Sequence, residues 1–104
     1  MLNTFIIEGK LIRKPELEET TRGIKFTKIF VECERPYRNS VGEFDKDTFQ
    51  IEVWRGMAEI ICEGSNVGDF VAVQGRMQGT VLENSEGKPY IKYDFVAEKV
   101  SFLV

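Results

Sequence analysis

The chain has 104 residues, with 14 Lys and Arg against 17 Asp and Glu, a net charge of −3 and no histidine. That is enough for one domain, spanning 1–104, with a modest core, and it argues against bulk electrostatic capture of a polyanion. Apolar stretches are too short to span a bilayer and Met1 to Thr4 offers no signal-type start, so a cytoplasmic protein with no membrane partner is expected.

Residues 3–13 read as a strand, with Phe5, Ile7 and Leu11 on one side and Ile6, Glu8 and Lys10 on the other. Gly9 interrupts it where a bend or bulge is expected. Lys14-Pro15-Glu16 removes a ladder donor and Thr20 to Gly23 gives a turn signal, so 14–23 is expected to be a connection.

In the next run Thr27, Ile29, Val31 and Cys33 share one face while Phe26, Lys28, Phe30, Glu32 and Glu34 share the other. Arg35 to Gly42 reads as a long polar turn carrying two guanidiniums and the ring of Tyr37. A third run sets Phe49, Ile51 and Val53 inward, leaving Thr48, Gln50, Glu52 and Trp54, the only tryptophan, on the opposite face. Aromatic rings beside Arg or Lys on a sheet surface suit stacked bases and a phosphate backbone.

After Trp54 the period changes. Met57, Ile60 and Ile61, with Ala58 and Cys62 alongside and Gly64 at the end, predict one short helix. Phe70 to Gly79 is another strand with a glycine inside it, Glu83 to Lys88 is a loop tip, and Tyr90 to Val104 forms the last strand, with Tyr90, Lys92, Asp94 and Val96 alternating against Ile91, Tyr93, Phe95 and Ala97. Three strands, a helix and two strands, with glycines at bends, is the order of an all-β five-stranded Greek-key barrel of the oligonucleotide-binding type (the OB-fold), its one short helix lying between strands three and four.

Catalysis is not expected. A cysteine or serine nucleophile would lack its commonest base, and no phosphate-cradling glycine motif is present. Cys33 and Cys62 have neither CxxC spacing nor a histidine, so both are expected as reduced core residues, with no metal, no cofactor and no small-molecule substrate.

Several stretches resemble the bacterial and phage single-stranded DNA-binding proteins: Glu8-Gly9-Lys10-Leu11 with Lys14-Pro15-Glu16-Leu17, Arg35-Pro36-Tyr37-Arg38-Asn39-Ser40, Val53-Trp54 with Met57-Ala58-Glu59, Val67 to Met77, and Val96 to Val100 with Phe102-Leu103. The likeness runs along essentially the whole chain. It implies sequence-nonspecific single-stranded DNA binding in replication, recombination and repair, by a homotetramer or homodimer. Trp54 and Tyr37 fall on or beside stacking positions, and Arg38, Arg55, Arg76 and Lys88 on plausible phosphate contacts. With their neighbours, the expected path comprises Lys28, Arg35, Tyr37, Arg38, Gln50, Trp54, Arg55, Arg76, Gln78 and Lys88.

Three departures stand out: Thr48 lies where most relatives carry an aromatic, Leu82 where some carry tryptophan, and Arg55-Gly56 replaces a usual glycine followed by lysine. The sequence stops at Val104 without the glycine- and glutamine-rich linker and acidic tip that recruit replication and recombination proteins, so it resembles a tail-less member. The alternative is an adaptor like the primosomal protein that shares this barrel, acting mainly through protein contacts with weak DNA binding. Phe26 and Phe30, on the outward face, are expected to pack against a second subunit or the loop rather than against bases.

Overall fold

Alternation of small apolar and polar side chains rolls the chain into one closed sheet, seen in a computed structural model that describes residues 1–103; Val104, placed by its sequence in the last strand, lies outside them. The elements are β1 (Phe5–Leu11), β2 (Glu18–Glu19), β3 (Lys25–Arg38), β4 (Phe44–Trp54), α1 (Gly56–Gly64), β5 (Phe70–Glu83) and β6 (Pro89–Leu103). Their order across the sheet is β1-β5-β6-β4-β3-β2, and a further β1–β3 pairing closes five of them into the barrel of an OB-fold. β2 is the departure: two glutamates in the expected connection pair with Phe26 and Lys25 on β3.

On β1, β3 and β4 the inward faces are those the alternation assigns. Leu11, Ile29, Val31, Ile51, Val53, Val71 and Val73 are fully buried, each aliphatic side chain contributing about 1.5–3 kcal/mol relative to exposure. Phe95, partly buried, packs against this core, edge-on to Phe5 at 5.1 Å and to Phe49 at 5.7 Å. Cys33 and Cys62 are free thiols packed at the margin of this core.

Helix α1 contributes Ala58 and Ile61 to the core, with Met57 and Cys62 beside them. Ile60 departs from expectation: it stays 66% exposed, because the barrel touches a stripe of the helix narrower than its apolar spacing suggests. The helix ends at Ser65, whose backbone N–H donates to the Ile61 carbonyl and whose own carbonyl accepts from Lys14 Nζ, tying the first connection to the helix end.

Two close approaches make the closure. β1 crosses from β5 to β3 at Lys10 and Leu11, and there Gly9 lies so near Glu32 that a Cβ would fall 2.2 Å from its carbonyl oxygen. On β6, Glu98 has no partner because Lys99 pairs with Gln74 while Ala97 pairs with Gly75. This bulge breaks the alternation expected for the last strand, so that Val96 and Ala97 are both buried.

Candidate nucleic-acid interface

Antiparallel register sets the outward residues of β3 and β4 opposite one another: Phe26 against Trp54, Lys28 against Glu52, Phe30 against Gln50 and Glu32 against Thr48. Phe26 is therefore taken up by Trp54. The two ring centroids lie 4.8 Å apart with planes 25° from parallel, close to the spacing of neighbouring strands, about 4.7–4.9 Å. Rings stacked across that spacing stand upright on the sheet, so Phe26 covers one face of the indole from the β3 side and leaves the other facing β6. The indole N–H donates to Glu52 Oε1 at 3.1 Å, which fixes rotation of the ring.

The uncovered side of Trp54 opens on a groove of about 280 Å3 lined by Ile24, Glu52, Trp54, Arg55, Arg76, Gln78 and Val96. Clefts that take drug-sized ligands run to about 300–1,000 Å3, so this one suits a single flat base. The parallel pairing of Glu52 with Val96, and of Val96 in turn with Arg76, carries β5 side chains to the tryptophan. Arg76 Nη2 lies 3.4 Å from Gln78 Oε1, and Nη1 lies 3.8 Å from Glu98, the bulged residue. Of the expected residues, Trp54, Arg55, Arg76 and Gln78 thus share one groove, with Lys28 and Gln50 exposed on the adjoining face.

Arg55 holds an unusual backbone. It is the only described non-glycine residue with positive φ, at φ 61° and ψ −137°, a backbone region that glycine enters more readily than a residue with a side chain. Its N–H is held by the Lys25 carbonyl at 2.7 Å, and its carbonyl starts the helix by accepting from Ala58 at 3.0 Å. Strain of this kind costs about 1–3 kcal/mol, more than the roughly 0.5–1 kcal/mol of chain entropy that glycine would lose. Arg55→Gly should therefore raise the melting temperature while weakening any anionic ligand in the groove. A melting temperature that stays level or falls would show that the strain is not there.

The remaining residues lie on two arms. The expected long turn is shorter than its composition suggests, since β3 runs on through Arg38 with irregular pairing between Glu34 and Arg38. Asn39 and Arg38 close the tip: the Asn39 side-chain oxygen accepts from the N–H groups of Val41 and Glu43, both at 3.0 Å, and Arg38 Nη1 donates to the Gly42 carbonyl at 2.7 Å, with Gly42 at φ 82°. Asn84 does the same for Glu86 and Lys88 at the β5–β6 tip. Tyr37 is 61% exposed on the first arm, Arg38 lies over Phe44 at 4.5 Å, and Lys88 is exposed at the second tip.

Arg35 is different. Its Nε and Nη2 fork onto Asp47 at 3.0 and 2.9 Å, with Asp45 3.8 Å away, so its charge is answered within the arm. The hydrogen bond holds the Asp47 carboxyl below the usual carboxylate range. Burial, with Asp47 and Glu8 nearby, pushes the Cys33 thiol up, which disfavours the reactive thiolate.

Two groups in the site were not anticipated. Arg13 lies 4.2 Å over Phe30, brought there because the Ile12 N–H donates to the Phe30 carbonyl, and together they line a second groove with Lys14, Glu16, Glu18 and Lys28. The other is Glu52, a carboxylate inside the aromatic groove. No local pattern announces either, because both depend on which strands become neighbours.

The description of the Single-strand binding protein family matches residues 2–103. Over 103 residues, 99% of this chain, the sequence is 34% identical to a single-stranded DNA-binding protein of Halalkalibacterium halodurans and to single-stranded DNA-binding protein 3 of Listeria innocua. It is 33% identical over the same length to single-stranded DNA-binding protein 1 of Staphylococcus aureus. The chain spans 61%, 64% and 66% of the lengths of these three proteins.

Proposed function

The chain belongs to the single-strand binding protein family, and from that premise we propose that it binds single-stranded DNA without sequence-defined sites, holding strands unpaired during replication, recombination and repair. The observation that carries the proposal is Trp54, clamped upright by Phe26 with its second face open on a groove that Arg55, Arg76 and Gln78 also line. A base stacks on the indole and cations hold the backbone, which is how such proteins bind any sequence. Lys28 and Gln50 extend the path along the sheet, and Tyr37, Arg38 and Lys88 meet the strand from the two arms. Arg35 serves the arm rather than the strand, because Asp47 occupies its fork.

The protein acts as a binder without catalysis, in the cytoplasm. Ile6, Phe70 and Leu103 are exposed by 75%, 53% and 41% on neighbouring strands. Phe26 and Phe30 are already covered by Trp54 and Arg13, which moves the expected subunit contact to this β1–β5–β6 surface. A closed homodimer or homotetramer covers it, and sedimentation as a monomer at micromolar concentration would refute that.

Titration with oligo-dT should quench the single tryptophan, and log affinity should fall with log salt by about 0.7 for each phosphate neutralised. The ion pairs that take up Arg35, Lys46 and Lys25 favour a second reading, an adaptor acting through protein contacts. Undisturbed fluorescence and a salt slope near zero would select it.

A further inference from the structure

Glu52 occupies a place where a passing phosphate would make a carboxylate unfavourable. It precedes Trp54 by two residues on the same outward face of β4, lines the groove on the open side of the indole, and anchors the ring through Oε1. Lys28 stands across the strand pair, yet no salt bridge joins the two among the described residues. The charge therefore remains in the groove, and among the described residues the indole N–H is the one hydrogen-bond donor to the Glu52 carboxylate, at Oε1.

An ionised carboxylate only accepts hydrogen bonds. What a single strand can offer it is a base edge carrying an amine, and the N4 amine of cytosine is a known partner of Glu and Asp. Thymine is nearly the same size and stacks similarly, but presents a carbonyl oxygen where cytosine presents that amine. Because the carboxylate is tied to the rim of the indole, a base lying on the ring brings its own rim beside it.

We propose that Glu52 reads the base stacked on Trp54, favouring amine-bearing bases such as cytosine over thymine. The inference rests on the binding proposed above. Glu52 then gives one position of an otherwise indifferent path a chemical preference, while Arg55 and Arg76 on the groove walls keep the backbone away from the carboxylate.

The test compares oligo-dC and oligo-dT of equal length, at mildly alkaline pH, with the unaltered protein and with Glu52→Gln and Glu52→Val. Removing the charge should tighten both oligonucleotides, because phosphate repulsion is blind to sequence, so the ratio of the two affinities is the readout. That ratio should move toward oligo-dT by on the order of fivefold in Glu52→Val, the lower end of what one base-edge contact contributes, and by less in Glu52→Gln, whose amide oxygen still accepts from the cytosine amine. Binding by Glu52→Val that persists with an unchanged ratio overturns the role of Glu52 and leaves the binding standing. Failure of the unaltered protein to bind either oligonucleotide overturns both.

Discussion

Trp54→Ala should weaken single-strand binding by about 1–3 kcal/mol, the contribution of one base stacked on an aromatic ring. Phe or Tyr at the same position should keep much of the affinity, since any flat ring presents a face to the groove. The loss is expected to be in binding and not in folding. Trp54 is only partly buried and lies outside the central cluster, where Val53 and Ile51 of the same strand already hold β4 in place. Alanine would also strip the cover from Phe26, which then presents a displaced ring on the wrong side of the groove. Affinities by anisotropy, alongside thermal melts, separate the two effects. Unchanged affinity in the alanine variant would move the stacking platform elsewhere, to Tyr37 or to the Arg13–Phe30 pair.

The alternation that exposes Trp54 was legible in the sequence, as was nearly all of the barrel interior, because a strand with one wet face must repeat every two residues. Thr27, Ile29, Val31, Ile51 and Val53 all sit where that repeat puts them. Misreadings came where one residue overrides the pattern around it. Pro36, Asn39, Ser40 and Gly42 suggest a long turn, but bonds at residues 38–43, chief among them those to the Asn39 side chain, close a short tip and leave residues 35–38 to continue the strand. Ile60 fits the helical spacing and still faces out. β2 is two glutamates long and has no period to show.

The groove was less legible still. Tryptophan and two arginines stood in the sequence as separate candidates, and nothing local says that Arg76 should meet Trp54. That meeting depends on β4 and β6 running parallel and on an unpaired Glu98 that shifts the β5–β6 register by one. The sequence places Glu52 on the outward face of its strand and says no more of it. Its significance comes from the indole N–H it accepts and the side chains that a distant strand brings to it.

That dependence makes Gly75 the position where fold and site should fail together. The bulge brings β5 so close to β6 that a Cβ on Gly75 would lie 2.0 Å from the Val96 carbonyl oxygen and 2.8 Å from the Phe5 ring. The Val96 oxygen is backbone in a paired strand, so it cannot swing aside as a side-chain end could; relief requires separating strands whose hydrogen bonds continue on both sides. Gly75→Ala should therefore cost at least the upper end of the about 1–3 kcal/mol typical of overpacking, a large share of the roughly 5–15 kcal/mol that holds a domain folded. The neighbours suffer next. Arg76 follows Gly75 directly and reaches the bulged Glu98, while Val96 floors the groove, so strands pushed apart there pull Arg76 and Gln78 away from Trp54. Below its melting temperature the variant should consequently bind single strands more weakly and show less tryptophan quenching at saturation. Gly79→Ala supplies the contrast on the same strand: its Cβ would meet nothing nearer than 3.5 Å, so stability should hold or rise slightly as a strand-interior glycine is lost. Urea melts of the two variants decide the matter, and a Gly75→Ala protein that unfolds with the unaltered one would mean that the strands do not approach closely at this bulge and that something else positions Arg76.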